Sequence, residues 1–338
     1  MRATVKDVAA MAGVSPKTVS NVMNGIVFVR AETLERVQRA IEELGYVPNL
    51  SARGLRNGRS GVIALSLPDL GTSYSAEIVH AFVEVAHNRG WSIQIEETAA
   101  YPNREVELVT RARAHLIDGL ILNPLTREQS AVENTVSLPP VVLIGEVEQS
   151  VADQVWVDSV VAAENMTTHL IDSGYRRIAA VGTPEPSFIT STSSLRVRGY
   201  RNALAAAGLA HETALEISCD SWTAEAAARA VGRFIDADGV AEAYFCFTDS
   251  MALGVIGALW NRGIRVPEDT AVAGFDDLAE GRYSGPPLTT VSFDKVLYAE
   301  KVFDLLVARM SDPHRPPTRT TIPHSVIVRA STSSAGRA

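Results

Sequence analysis

The sequence predicts an α/β protein with an N-terminal three-helix head, a short hinge helix and a body of two doubly wound parallel-sheet subdomains. Three observations predict it. Residues 4–45 carry apolar positions at helical spacing, with capping residues and glycines where three helices would begin and end. From Gly61 onward, near-continuous apolar runs of strand length alternate with stretches of helix length, as in parallel sheets covered on both faces. That alternation occurs twice in tandem, which points to two such sheets.

In the head, Val5, Val8, Ala9 and Ala12 share one helical face, and Thr4 with Asp7 three residues later reads as a capped start. Gly13-Val14 breaks the pattern. Ser15 can cap a second helix with Pro16 in its first turn, and Val19, Val22 and Met23 give that helix its apolar side. Leu34, Val37, Ile41 and Leu44 line a third helix, which Gly45 ends. Two short helices joined by a tight turn containing glycine make a helix-turn-helix. Three such helices bury one small core and leave the second free to enter a DNA major groove, with Pro16, Lys17 and Asn21 outward.

Residues 49–59 follow. Asn49 could cap a single helical turn, but Gly54 and Gly58 make that turn intrinsically poor, so the segment should be helical only when packed against something. The body then reads as strands at Gly61–Leu67, 92–96, Gly119–Asn123, Val141–Gly145 and Gln154–Asp158, with helices at 74–89, 103–115 and 160–173. The second set places strands at Ile178–Gly182, Ala243–Phe247 and Ala271–Gly274, with helices near 194–208, 223–237 and 250–262. Thr289–Phe293, a helix at 295–310 and a strand near 322–328 would cross back between the two sheets. The small, polar tail from Ser331 to Ala338 is expected to be disordered. The expected boundaries are a head at 1–48, a hinge at 49–60 and a body at 61–330. The body divides into one subdomain of about 61–159 and 292–320 and another of about 160–291 and 321–330.

Composition narrows the function classes. At 338 residues and 46% hydrophobic, the chain can bury a sizeable core in two or three domains. It shows no secretory leader and no apolar run long enough to span a bilayer, so a soluble cytoplasmic protein is expected. Cys219 and Cys246 are far apart, lack metal-ligand spacing and read as buried thiols. The net charge of −8 argues against a protein that coats nucleic acid along its whole surface. Its distribution says more. Residues 1–60 carry nine Lys and Arg against five Asp and Glu, and the remainder carries 22 against 34. A basic head on an acidic body puts the phosphate-attracting field at one end.

No phosphate-gripping glycine loop, metal-ligand cluster or nucleophile–base motif is apparent, so neither catalysis nor a cofactor is expected. The informative residues sit at strand ends. Asp276 follows the strand ending at Phe275, Thr248-Asp249 follows Phe247, Arg196 precedes Gly199-Tyr200, Trp222 lies before a helix, and Tyr74 lies near the first strand–helix turn. A carboxylate and a guanidinium can fork onto vicinal hydroxyls while aromatic faces stack on the apolar face of a sugar. Taken singly, Asp249 serves equally as a helix cap, Arg196 as a solvated helix residue and Trp222 as core.

Thr4-Val5-Lys6-Asp7-Val8-Ala9, Ala12-Gly13-Val14-Ser15, Thr18-Val19-Ser20-Asn21-Val22-Met23-Asn24, Leu44-Gly45-Tyr46-Val47-Pro48-Asn49 and Ala52-Arg53-Gly54-Leu55 resemble the DNA-binding head of the lac-repressor (LacI/GalR) family of bacterial transcription regulators. Gly274-Phe275-Asp276-Asp277 and Pro286-Pro287-Leu288-Thr289-Thr290-Val291 resemble the family's effector-cleft and crossover signatures. The resemblance implies a periplasmic-binding-protein-like body and a homodimer on a palindromic operator. It implies DNA contacts from Thr4, Ser15, Pro16, Lys17, Thr18, Ser20, Asn21, Asn24 and Tyr46. In the hinge it implies Asn49, Ala52, Arg53 and Leu55, with Leu55 wedged between central base pairs. For the effector it implies Tyr74, Ser75, Arg196, Trp222, Thr248, Asp249, Phe275 and Asp276. The sequence departs from the family at Thr248, where Asn is usual, at Gly145-Glu146, where the strand often ends in Asp, and at Arg30, which replaces a small capping residue. The implied function is a ligand-responsive repressor of a carbohydrate-utilisation operon. The alternatives are a purine or other non-sugar effector, or a sugar-binding receptor without DNA function.

Overall fold

The computed structural model describes residues 3–23, 29–47, 59–99, 101–126, 130–132, 138–186 and 188–333. The chain divides into two compact units, Met1–Ser60 and Gly61–Ala338.

The first unit contains helices α1 (Val5–Ala12), α2 (Pro16–Met23) and α3 (Ala31–Glu43). Thr4 caps α1 as a reciprocal box: its hydroxyl accepts from the Asp7 N–H, and the Asp7 carboxylate accepts from the Thr4 N–H at 2.8 Å. Gly13 follows at φ +63°, a left-handed residue that turns the chain toward α2. Ser15 then accepts from the Thr18 N–H at 3.1 Å and starts α2. Gly45 closes α3 at φ +55°, letting the Tyr46 N–H return to the Ile41 carbonyl at 2.9 Å. Arg30 offers α3 no side-chain cap. Val8, Ala9, Ala12, Val19, Val37 and Ala40 form the small shared core.

The second unit holds two six-stranded sheets. Strands β1 (Val62–Leu67), β2 (Ser92–Glu97), β3 (Gly119–Leu122), β4 (Val141–Ile144) and β5 (Asp153–Val157) build the first sheet. Helices α4 (Ser73–Asn88) and α5 (Pro102–Arg113) join its strands. Helix α6 (Ser159–Asp172) opens the second sheet, which contains β6 (Ile178–Thr183), β7 (Glu216–Ser218), β8 (Ala243–Cys246), β9 (Ala271–Phe275) and β10 (Thr289–Phe293). Its connecting helices are α7 (Ser191–Ala206), α8 (Ala224–Asp238), α9 (Asp249–Trp260) and the short α10 (Ala279–Arg282). Helix α11 (Lys295–Ser311) returns the chain to the first sheet, where β11 (Arg319–Ile322) pairs in parallel with β5. Strand β12 (His324–Ile327) then pairs antiparallel with β10 in the second sheet. The central strands of both sheets are buried along their length, as their apolar runs require.

Four segments differ from the sequence expectation. The strand near 322–328 is two strands in different sheets, because Pro323 between them has no N–H with which to continue a ladder. Strand β7 and helix α10 are too short to carry a periodic signal. The tail expected to be disordered begins with buried residues. The Ser331 hydroxyl donates to the Val272 carbonyl at 2.6 Å and accepts from the Thr289 N–H at 2.8 Å, and Thr332 shares a hydrogen bond with Thr289. Small polar side chains are favoured there because they satisfy backbone groups at the end of the sheet. Residues 334–338 lie outside the described part.

Candidate ligand cleft and nucleic-acid interface

The carboxyl ends of both sets of strands face one cavity of about 400 Å³. Pro68, Glu97, Asn123, Gly145 and Val157 line it from the ends of the first sheet, and Thr248, Phe275, Asp276 and Phe293 line it from the second. Parallel sheets commonly bind ligands at this place, where connecting loops gather over the strand ends.

Arg196 reaches the cavity from α7, which starts at a capping box between Thr190 and Ser193. Its Nε donates to the Ser159 hydroxyl at 3.2 Å, and one Nη donates to the Phe247 carbonyl at the end of β8. The guanidinium carbon lies 3.4 Å from the Phe275 ring centroid and 5.5 Å from that of Trp222. A guanidinium suits this position because its faces stack while its edge donates.

Asp276 ends β9 at φ +113°, a conformation rare outside glycine. The strained residue is held by its N–H on the Val291 carbonyl, 2.9 Å, and by the Lys295 ammonium on its own carbonyl, 2.7 Å. The turn places its side chain on the cavity wall at 3% exposure. Burial pushes this carboxyl well above the usual range. Arg196 and Lys295 oppose that shift, and Asp249 and Glu146 reinforce it. Tyr74 approaches from α4, and its hydroxyl is raised first by burial and then by the fields of Tyr298, Asp276 and Glu146.

Of the eight expected effector residues, Tyr74, Ser75, Arg196, Trp222, Thr248, Phe275 and Asp276 line the same cavity. Asp249 does not. It is fully buried, accepting the Leu278 N–H at 2.7 Å and the Thr290 hydroxyl at 2.6 Å. Its carboxylate therefore ties α9 to the loop after β9 and to β10, and its assignment to the effector is corrected. Thr248 caps α9, accepting the Met251 N–H at 3.2 Å, and Ser250 rather than Asp249 faces the cavity.

The sequence reading missed Thr192, Phe293 and Tyr298 on the cavity wall and noted Glu146 only as a departure from the family, without assigning it to the effector. Glu146 follows β4, and its carboxylate accepts from the hydroxyls of Ser159, at 2.9 Å, and Thr192. Its place after the Gly145 strand end was the only sequence signal for it. Phe293 and Tyr298 belong to the return crossing and carried none.

In the head, Thr4, Ser15, Pro16 and Lys17 are exposed, and Thr18, Ser20, Asn21 and Tyr46 are half-buried. Lys17 and Asn21 are four residues apart on α2 and share one face, opposite the buried Val19. Thr4 and Ser15 are engaged as helix caps. Asn24, Asn49, Ala52, Arg53 and Leu55 lie outside the described residues. Among the described residues, no helix is long and apolar enough to cross a membrane.

Residues 4–49 match the family described as bacterial regulatory proteins, lacI family, and residues 167–332 match a periplasmic binding protein-like domain. The chain is 31% identical over 317 residues to the HTH-type transcriptional repressor PurR of Vibrio cholerae, covering 92% of each protein. A solved complex of the transcriptional regulator CelR with cellobiose is 30% identical, with a TM-score of 0.70, covering 98% of this chain and 100% of that one. The lac repressor dimer bound to operator and the anti-inducer ONPF is 27% identical, with a TM-score of 0.85, over 98% of this chain and 99% of that one.

Proposed function

The chain belongs to the lacI family of bacterial regulatory proteins, and from that premise we propose that it represses a carbohydrate-utilisation operon in the cytoplasm. It is a ligand-responsive, DNA-binding transcriptional repressor. As a homodimer it would read a palindromic operator, with Lys17 and Asn21 at base edges of the major groove. Residues 49–60 would form a hinge that orders on DNA, with Leu55 as the minor-groove wedge. A sugar closing the two lobes of the body would shift the spacing of the two hinges, so binding at one site biases the other.

The observation that carries the sugar reading is the cavity wall itself. Arg196 and Asp276 offer a fork of donors and a carboxylate beside the rings of Trp222 and Phe275, the combination that grips hydroxyls and covers C–H faces. The likeness to the CelR–cellobiose complex supports it. The Trp222 ring on the cavity wall favours a second reading, a purine base stacked against it. The test is a gel shift on the DNA upstream of the protein's own gene, with and without sugars and purines. A specific shift changed by a sugar is expected. A specific shift that only a purine changes selects the second reading, and no specific shift overturns both.

A further inference from the structure

Among the described residues, the cavity wall carries four carboxylates and one cationic side chain. Asp69 and Glu97 are exposed at the mouth, whereas Glu146 and Asp276 are 9% and 3% exposed. The cation is Arg196, which keeps part of its fork of donors for a ligand. Two of its nitrogens donate within the protein, and its plane is flanked by Phe275 and Trp222.

Glu146 defines what remains. It comes from the first sheet's lobe and meets Ser159 and Thr192 of the second. Both hydroxyl protons point at its carboxylate, so those hydroxyls offer a ligand only lone pairs, and Ser159 already accepts from Arg196. The carboxylate keeps further acceptor capacity. Around Glu146 the wall therefore accepts hydrogen bonds from a ligand. A phosphate or carboxylate there would face like charge and acceptor atoms, an arrangement that disfavours an anion.

We propose that Glu146 is a specificity-determining residue of the cavity, selecting an uncharged ligand rich in hydroxyl or N–H donors and excluding its phosphorylated or carboxylated counterparts. This rests on the reading of the cavity as the effector site. It adds a charge class that holds for a sugar or a nucleoside alike.

The experiment is calorimetric titration of the full chain and of Glu146→Gln with matched pairs: glucose and glucose 6-phosphate, ribose and ribose 5-phosphate, cellobiose and cellobionate, adenosine and AMP. Glutamine has the same shape and can still pair with Ser159 and Thr192, and the wild-type titrations stand even if the variant does not fold. The uncharged member of at least one pair is expected to bind wild type at least tenfold more tightly than its anionic partner, with Glu146→Gln narrowing that ratio at least fivefold. The proposal is overturned by an anionic member that binds wild type as tightly, by a ratio unchanged in Glu146→Gln, or by wild type binding no uncharged member. Where an anion does bind, Arg196→Ala separates the two readings. Loss of that binding leaves the cavity as the ligand site and removes only the charge selection, whereas persistence removes the site as well.

Discussion

The Arg196 guanidinium sits over the Phe275 ring with its central carbon 3.4 Å from the ring centroid, and the two residues come from different strand–helix units of one sheet. Phe275 precedes Asp276, so the contact sets a donor beside an acceptor on a single wall. A lysine at 196 would keep the charge but lose both the stack and the fork. Arg196→Lys and Arg196→Ala are each expected to weaken effector binding at least tenfold by calorimetry, while both variants still shift operator DNA. Unaltered affinity for the cognate ligand in both would show that this wall does not hold it.

The head is predicted to read bases through Lys17 and Asn21, which share the side of α2 opposite the buried Val19. A good bidentate base contact discriminates by roughly 1–3 kcal/mol, whereas phosphate contacts carry no sequence information. Lys17→Ala and Asn21→Ala should each reduce the preference for operator over random DNA by about tenfold or more in gel shifts. Their ligand titrations should be unchanged. Equal losses on operator and random DNA would reassign both side chains to the phosphate backbone.

Two glycines of α9 should respond oppositely to the same substitution. A Cβ on Gly254 would lie 2.0 Å from the Ala224 carbonyl oxygen at the start of α8, so α8 and α9 would have to separate. A Cβ on the exposed Gly257 meets nothing within 4 Å. Gly254→Ala should therefore cost about 1–3 kcal/mol or more by overpacking. Gly257→Ala should add about 0.5–1 kcal/mol by helix propensity. Thermal unfolding measures both, and a stabilised Gly254→Ala would mean that the helices are not in contact there.

The helices of the head and the central strands were legible because their cause is local. Thr4 and Asp7, Ser15 and Thr18, and Gly45 act within one turn of each other, and a buried parallel strand such as Val141–Ile144 declares itself by being apolar throughout. The cavity was legible where a strand end and a side chain coincide, as at Phe275-Asp276, and where the family resemblance carried a residue, as at Arg196. Glu146, Thr192, Phe293 and Tyr298 converge through chain crossings that no spacing records. Asp249 shows the limit most clearly. It stands at a strand end like Asp276, but the phase of α9 turns it inward and presents Ser250 to the cavity, a difference of one residue that the helix start alone decides.

The burial of Asp249 has a consequence for stability. Loss of solvent pushes its carboxyl up to about 7, with Asp277 adding to the rise, while the bonds from Thr290 and Leu278 and the charge of Lys295 pull the other way. The unfolded chain releases this proton near pH 4, so between about pH 4 and pH 7 the native state holds it and the unfolded state does not. The stability that protonation supplies is thus complete below about pH 4 and lost as the pH rises through 7. Asn is isosteric and uncharged. Its carbonyl can accept the Leu278 N–H, and its amide can donate to the Thr290 hydroxyl, so Asp249→Asn should fold. Asp276 is raised by burial in both proteins, and losing the Asp249 field lowers it in the variant, which adds to the difference with the same sign. Denaturant unfolding from pH 5 to pH 8 should show wild type losing on the order of 1–3 kcal/mol more than Asp249→Asn. Parallel stability curves would mean that Asp249 is ionised in the folded protein across this range, with its charge carried by the bonds to Thr290 and Leu278.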